Sequence, residues 1–157
     1  MRGGGDRFDW AAGGAGAFAL TCADGLPLPV LIAVPHAGRA YSETLTDEMR
    51  DPACGPARLE DRFADLLGEA VAEATGAALI VARTPRAMID LNRAPDDIDW
   101  SMIVGAGAHR PAHSAVNRRA RSGLGLVPRR LPGLGEIWKQ RLDLADLEAR
   151  LDQPNPE

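Results

Sequence analysis

The stretch that decides the fold lies at residues 29–34 and reads PVLIAV. A short apolar run rich in β-branched residues and closed by Pro35 is typical of a strand buried inside a sheet. A second run of this kind, ALIVA, occupies residues 78–82. Between them, residues 57–74 carry apolar side chains at helical spacing, and Gly76 follows as a helix stop. Strand, helix and strand in this order predict a crossover that joins two parallel strands.

The remaining segments predict less regular structure. Residues 88–91 favour a third, short strand, and residues 142–151 favour a short helix with leucines at helical spacing. Residues 95–135 contain many glycines and prolines and are predicted to be mostly loop. We expect a flexible glycine-rich N-terminus over residues 1–16 and a frayed end over residues 152–157.

Composition limits the class of protein. A length of 157 residues predicts a single domain, and 45% hydrophobic with 25% charged residues excludes disordered, collagen-like and disulfide-stapled chains. The net charge of -4 argues against a nucleic-acid partner. No apolar run is long enough to cross a membrane and the N-terminus lacks an apolar signal region, so we expect a cytoplasmic protein without a membrane partner.

Two groups of residues near the predicted strands could bind a metal. His36 follows the first strand in a small, glycine-containing turn, where a neutral imidazole can be a metal ligand or simply a structural histidine. Glu60 and Asp61 are expected to open the long helix, where acids are favoured by the helix dipole alone. A helical wheel places Glu60 at the border of the apolar face and Asp61 nearly opposite, which favours Glu60. If Asp61 is instead the helix cap, the wheel does not fix its direction.

The most unusual segment follows the second strand and reads RTPRAMIDLNR over residues 83–93. If residues 86–92 are extended, Arg86, Asp90 and Asn92 share one face with a methionine. An arginine beside an asparagine suits a carboxylate ligand, because a planar guanidinium and an amide donor can bind it together. An ordinary surface ion-pair cluster is the alternative.

A second pair of histidines and an arginine-rich segment complete the candidates. His109 and His113 have the spacing of a helical metal pair, but Pro111 between them argues against a helix. Residues 109–130 carry arginines and no acid, so they could form an anion-attracting surface or a solvated face that complements the acidic residues 43–73.

Four segments together resemble the N-formylglutamate amidohydrolase family. In chain order they are VPHAGR at residues 34–39, EDRFAD at 60–65, PR with IDLNR at 85–93, and GLGLVPR with GEI at 123–137. The resemblance extends over residues 29–151. It implies an α/β fold similar to zinc carboxypeptidases, in which a mixed, largely parallel sheet is flanked by helices and zinc lies at the strand ends.

The resemblance also implies an activity and a metal. Members of the family hydrolyse N-formyl-L-glutamate, a small N-acyl amino acid, to formate and glutamate during histidine degradation, with zinc as cofactor. Carried over by position, His36 is the first zinc ligand. Asp61 matches the family's acidic position, with Glu60 as the competitor that the helical wheel favours.

The substrate residues are implied in the same way. Asn92 and Arg93 are similar to the pair that binds the substrate α-carboxylate, and Arg86 is a second anion contact. Members of the family normally continue beyond the end of this chain and supply another metal-site histidine there, so we expect an incomplete fold with no assigned catalytic base. The alternatives are a truncated enzyme without activity and a non-catalytic carboxylate-binding module, and an uncovered sheet edge would favour association between copies.

Overall fold

The computed structural model describes residues 16–22, 27–107 and 118–151, and these fall into two compact units. The first unit contains residues 16–40 and 60–85, and the second contains residues 41–59 and 86–151, with the same gaps. The predictions for residues 1–16 and 152–157 lie outside the described residues, apart from Gly16. The single domain over residues 1–157 stays a prediction.

Five helices and seven short strands are assigned within the described residues. The helices are α1 (Glu43–Glu48), α2 (Gly55–Leu59), α3 (Ala64–Thr75), α4 (Arg118–Arg121) and α5 (Leu144–Leu151), with a 3-10 turn at Trp100–Met102. The strands are β1 (Phe18–Thr21), β2 (Leu31–Val34), β3 (Ala78–Ala82), β4 (Ile103–Val104), β5 (Arg130–Leu131), β6 (Gly135–Glu136) and β7 (Leu142–Asp143).

The first unit is built on a three-stranded sheet in the order β1-β3-β2. Strands β2 and β3 are parallel, with Val34 opposite Val81, and β1 pairs antiparallel with the other edge of β3. The two predicted strands and their parallel pairing are therefore confirmed. The apolar, β-branched composition suits β3, which lies between its two neighbours and is mostly buried. The predicted burial of the first run is wrong, because β2 is an edge strand of this sheet and its Leu31 is 56% exposed.

Helix α3 packs on one face of this sheet through small side chains. Ala64 and Ala72 contact the buried core of the unit, and Gly68 is itself buried against the sheet. The helix ends as predicted at Gly76, whose φ of 75° is the left-handed conformation and whose N–H donates to the carbonyl of Ala72 at 2.8 Å. The buried core comprises Val34, Ala37, Leu79 and Val81.

The single helix predicted over residues 57–74 is wrong. Helix α2 ends at Leu59, α3 begins at Ala64, and Phe63 between them adopts a φ of 64°, which stops a right-handed helix. Except for Leu59, which is buried in the second unit, the large apolar side chains of the predicted helix face do not form the core, because small residues occupy the positions that approach the sheet. The exposed ones are Phe63, Leu66, Leu67 and Val71.

The second unit has a larger core with less regular structure around it. Strands β4 and β7 pair in parallel, and β5 and β6 pair antiparallel. Helix α5 confirms most of the helix predicted at residues 142–151, and its Arg150 stacks 4.7 Å from the Trp138 ring centroid while binding Glu48. The main buried core residues are Leu45, Met49, Leu59, Met102, Leu126, Trp138, Leu142 and Leu147.

The third strand predicted at residues 88–91 is not formed. Residues 86–88 are a turn, and the backbone N–H of Asp90 donates to the carbonyl of Leu126 at 2.7 Å, in a loop pairing rather than a sheet ladder. The neighbouring prediction that residues 95–135 are mostly loop agrees with the short elements found in their described part.

The chain is thus a mixed α/β protein with small sheets and helices. Parallel and antiparallel pairings both occur among the described strands. Within residues 16–22, 27–107 and 118–151, the helices are too short or too polar for any of them to cross a membrane.

Candidate functional site

His36 lies in the turn that follows strand β2 in the first unit. The residue is 6% exposed, and the turn is fixed by a parallel bridge between Gly38 and Pro85. A side chain at Gly38 would collide with the carbonyl oxygen of Thr84, so only glycine permits this approach. Because the bridge continues the direction of β2 and β3, it holds the His36 ring at the carboxyl end of the parallel pair.

Asp61 is an acidic residue that contacts His36. Its Oδ2 atom lies 3.1 Å from Nδ1 of the imidazole, and its backbone N–H donates to the His36 carbonyl at 3.0 Å. The His36 side chain is 7% exposed, whereas the Asp61 side chain is 56% exposed. The pair therefore presents one nitrogen and one carboxylate group, held together by main chain and side chain, with the carboxylate open to solvent.

The Glu60 side chain forms hydrogen bonds with two arginines. Its Oε2 accepts a hydrogen bond from Nε of Arg39 at 3.0 Å, and its Oε1 accepts one from Nε of Arg62 at 3.0 Å. The helical wheel that favoured Glu60 over Asp61 does not apply, because neither residue lies in a helix. Of the two adjacent acids, the geometry brings Asp61 to His36 and ties Glu60 to two arginines.

Asp65 and Arg39 form the most buried ion pair of this region. The guanidinium of Arg39 donates from Nη1 to Oδ2 of Asp65 at 2.8 Å and from Nη2 to Oδ1 at 3.2 Å. These hydrogen bonds lower the pKa of the Asp65 carboxyl, against the opposing effect of burial, and raise the pKa of Arg39. Neither residue was predicted from the sequence to have a role. The sequence features that could have identified them are the position of Arg39, three residues after His36, and the position of Asp65 in the first turn of α3.

The donor atoms of His36 and Asp61 suit zinc. Imidazole nitrogen and carboxylate oxygen are common zinc ligands, and two donors at about 2.0–2.1 Å from a tetrahedral zinc lie about 3.3 Å apart. The observed separation of 3.1 Å is close to that value. In the part of the chain that the structure describes, no three His, Cys, Asp or Glu residues form a group that could hold a metal ion. His109 and His113 lie outside that part.

The predicted carboxylate-binding residues lie in the second unit, around a fully buried acid. Asp90 is 0% exposed, and its Oδ2 accepts a hydrogen bond from Nε of Arg86 at 2.9 Å. Its Oδ1 accepts the backbone N–H of Asn92 at 2.9 Å. The extended conformation predicted for residues 86–92 is wrong, because the chain turns and brings Arg86 and Asp90 together at a spacing of four residues.

Arg93 is held by main-chain carbonyls. Its Nε donates to the carbonyl of Leu124 at 2.9 Å and its Nη1 to the carbonyl of Asn92 at 2.6 Å, while Nη2 lies 3.6 Å from Asp90. The Arg93 side chain is 14% exposed and Asn92 is exposed. The structure thus brings Arg86 and Arg93 to one acid, and leaves the side chain of Asn92 towards solvent.

The glycine-rich segment after α4 supports this cluster. The backbone N–H of Leu126 donates to the carbonyl of Asp97 at 2.7 Å, and Asp90 bonds back to the carbonyl of Leu126. Gly125 lies so close to Asp97 that a side chain there would meet the Asp97 carbonyl oxygen. The contribution of Leu124 was not predicted, since a carbonyl acceptor carries no signal in the sequence.

A cavity of 380 Å³ lies elsewhere in the second unit. It is lined by Arg50, Asp51, Gly55, Leu134, Glu136 and Ile137. None of these residues was predicted to have a functional role, although Glu136 and Ile137 belong to the GEI segment of the family resemblance. Two of the lining side chains are already committed, because Nε of Arg50 donates to the Trp138 carbonyl and Glu136 pairs with Arg130.

Comparison with known proteins gives two findings. A family model described as N-formylglutamate amidohydrolase matches residues 28–154. The crystal structure of an N-formylglutamate amidohydrolase from Ralstonia eutropha JMP134 at 2.00 Å resolution is similar, with a TM-score of 0.73 and 30% sequence identity. The match covers 88% of this chain and 47% of that one, so the chain spans about half the length of this relative. No curated protein matches the chain.

Proposed function

Since the chain belongs to the N-formylglutamate amidohydrolase family, we propose that it hydrolyses the amide bond of a small N-acyl amino acid. The substrate type is N-formyl-L-glutamate, and the products are formate and glutamate, as in histidine degradation. The family match over residues 28–154 supports the reaction class. The observation that carries the chemistry is the 3.1 Å approach of the His36 imidazole to the Asp61 carboxylate.

We propose that this pair contributes two ligands of a zinc site. His36 would bind through Nδ1 and Asp61 through its carboxylate, while Glu60 stays bound to its two arginines. The chemistry that zinc supplies when bound is polarisation of the formyl oxygen and a lowered pKa for a water ligand. A catalytic zinc site takes about three protein ligands, so hydrolysis requires one donor more than this pair provides.

The substrate α-carboxylate would bind at the cluster around Asp90. Arg86 and Arg93 carry two positive charges against the one negative charge of Asp90, so these three side chains attract an anion. Asp90 and the Leu124 carbonyl fix the two guanidinium groups before any ligand arrives, which reduces the entropy lost on binding. The exposed Asn92 amide can add a hydrogen bond to the bound carboxylate.

Three broader parts of the proposal follow from the family. We propose that the described strands belong to a larger, largely parallel sheet flanked by helices, as in zinc carboxypeptidase-like hydrolases. We propose a cytoplasmic location, with the N-acyl amino acid as the principal partner. Association between copies is also part of the proposal, because strands β1 and β2 are the edges of the three-stranded sheet.

A non-catalytic carboxylate-binding module is the second candidate. It is favoured by the way the anion cluster is built, because Arg86, Asp90 and Arg93 find their mutual contacts within the second unit without help from His36 or Asp61. Such a module would bind N-formyl-L-glutamate without hydrolysing it and without metal.

Two measurements on the same preparation separate the candidates. Formate release from N-formyl-L-glutamate in the presence of zinc, abolished by His36→Ala, supports the hydrolase. Heat of binding of N-formyl-L-glutamate in the presence of a chelator, abolished by Arg93→Ala, with no formate release from the zinc-loaded protein, supports the module. Neither formate release nor binding, in a protein with a normal thermal unfolding transition, contradicts both candidates.

A further inference from the structure

We infer that Arg39 is a positioning residue, which withdraws Glu60 from the proposed zinc site so that Asp61, rather than Glu60, faces His36. The inference rests on the proposed function, because it assumes that the His36 and Asp61 pair binds zinc. Glu60 and Asp61 are adjacent in the sequence, and either could supply the carboxylate ligand. Two adjacent acids have the same ligand atoms, and only their surroundings can decide which of them binds the metal.

Arg39 is in the right place to make this choice. It lies three residues after His36, in the same turn, and its guanidinium bridges two acids from the following segment. Nε binds Glu60 at 3.0 Å, while Nη1 and Nη2 bind Asp65 at 2.8 and 3.2 Å. Three donors of one planar group are thus used, an arrangement that lysine cannot reproduce.

Asp65 gives this bridge a fixed anchor. Its side chain is 3% exposed, and it lies in the first turn of α3, which packs on the sheet. A guanidinium held by two hydrogen bonds to a buried carboxylate has little freedom left, so its Nε stays directed at Glu60. The Glu60 side chain is accordingly 9% exposed, whereas the adjacent Asp61 side chain is 56% exposed.

The backbone of the same segment is also constrained. The N–H of Asp61 donates to the His36 carbonyl, the N–H of Ala64 donates to the Asp61 carbonyl, and Phe63 is held at a φ of 64°. A bulky residue in the left-handed region costs about 1–3 kcal/mol and persists where the surrounding contacts fix the conformation. The segment therefore holds Asp61 by its backbone and Glu60 by its side chain.

Arg62 provides a matched control. It also binds Glu60, from Nε to Oε1 at 3.0 Å, but its side chain is 65% exposed and no contact to Asp65 is made from it among the described ion pairs. The same substitution at Arg39 and Arg62 removes one guanidinium from Glu60 in each case. Only the change at Arg39 also removes the anchor on Asp65.

The test compares Arg39→Lys with Arg62→Lys in the full chain. Zinc affinity is measured by competition with a chromogenic chelator, and the visible absorption spectrum of the Co²⁺-loaded protein reports the ligand set. We expect Arg39→Lys to shift the cobalt spectrum, because the released Glu60 carboxylate can enter the ligand set, and to leave zinc affinity equal or higher. Arg62→Lys should leave both unchanged. Adding Glu60→Gln to Arg39→Lys should restore the wild-type spectrum, because the second carboxylate is removed.

Several results would overturn the inference. Identical cobalt spectra for the two lysine variants overturn it while leaving the proposed zinc site in place. A spectral change in Arg39→Lys that Glu60→Gln does not reverse, together with a lower unfolding midpoint, shows a structural role only. If Arg39→Lys does not fold, Asp65→Asn replaces it in the same comparison. Wild-type protein that binds zinc no better than His36→Ala contradicts the proposed function itself, and the inference with it.

Discussion

Two aspartates lie at the centre of the two candidate clusters, and their surroundings differ sharply. Asp61 in the first unit is 56% exposed and meets one imidazole nitrogen at 3.1 Å. Asp90 in the second unit is fully buried and meets two guanidinium groups and a backbone N–H. An exposed carboxylate can exchange its neighbour for a ligand at little cost. A buried one is committed to its partners, so we interpret Asp61 as a ligand and Asp90 as the support of other binding groups.

The difference between Asp61 and Asp90 is tested most severely by two single variants, in which each aspartate is replaced separately with asparagine. Asp90→Asn leaves the partly buried Arg86 and Arg93 without their counter-charge, which should lower the free energy of unfolding by about 3–5 kcal/mol. Asp61→Asn keeps a polar group beside His36 at an exposed position and should change the free energy of unfolding by no more than about 0.5 kcal/mol. Urea unfolding at pH 7 measures both. Similar losses for the two variants would remove the distinction between them.

The ion pair of Asp65 is intermediate in burial between the contacts of Asp61 and those of Asp90. Its side chain is buried, but the Arg39 that pairs with it is 41% exposed. Asp65→Asn should therefore lower the free energy of unfolding by about 1–3 kcal/mol, between the values for exposed and buried pairs. The measurement is urea unfolding near neutral pH, with Arg62→Gln as a control that removes an exposed ion pair and should have a much smaller effect.

The stability that Asp65 contributes should depend on pH. Arg39 holds the pKa of the folded-state carboxyl below its ordinary value of 3.8. A depressed folded-state pKa means that the contribution is fully present above that ordinary value and is lost as the pH falls through the folded-state pKa. The difference in unfolding free energy between wild type and Asp65→Asn should be constant from pH 7 to pH 5 and should shrink below about pH 4. A difference that grows on acidification would contradict this assignment.

The smallest expected effect concerns the turn that presents Asp61. Phe63 is a non-glycine residue with a positive φ, and its side chain is 67% exposed. Phe63→Gly removes the steric cost of this conformation and loses little buried surface, so it should stabilise the protein by about 0.5–1 kcal/mol. Thermal unfolding measures the change, and Leu67→Gly on the same exposed surface is the control, since it should destabilise helix α3. Destabilisation by Phe63→Gly would show that the turn is not strained.

The regular part of the fold could be predicted from the sequence because it depends on local signals. The apolar runs that became β2 and β3 are short, rich in β-branched residues and closed by proline or polar residues, and their parallel pairing follows from the intervening helix. Gly76 ended its helix as expected. These features depend on residues that are close in sequence or on burial alone.

The break between α2 and α3 could not be predicted in this way. Leu59, Phe63 and Leu66 keep a helical spacing through the break, so periodicity continues where the helix does not. What interrupts the helix is a set of distant contacts, such as the Asp61 backbone N–H with the His36 carbonyl. No local propensity encodes a hydrogen bond between residues 25 positions apart.

The candidate site residues came from two sources. The positions of His36 after a predicted strand and of Asp61 at the predicted helix start made both residues metal candidates, while the substrate role of Arg93 came from the family resemblance. The family itself is confirmed by the match over residues 28–154, and the roles of the three residues stay predictions. The supporting side chains, above all Arg39 and Asp65, are recognised only in the structure, because the two pair across 26 positions.

The central claim is that His36 and Asp61 act together as zinc ligands, and the metal content of dialysed protein tests it most directly. Wild-type protein, His36→Ala and Asp61→Asn are loaded with zinc, dialysed against metal-free buffer and measured by atomic emission. We expect about one zinc per wild-type chain and a loss of most of it in each variant. Stoichiometric zinc retained by both variants would contradict the account.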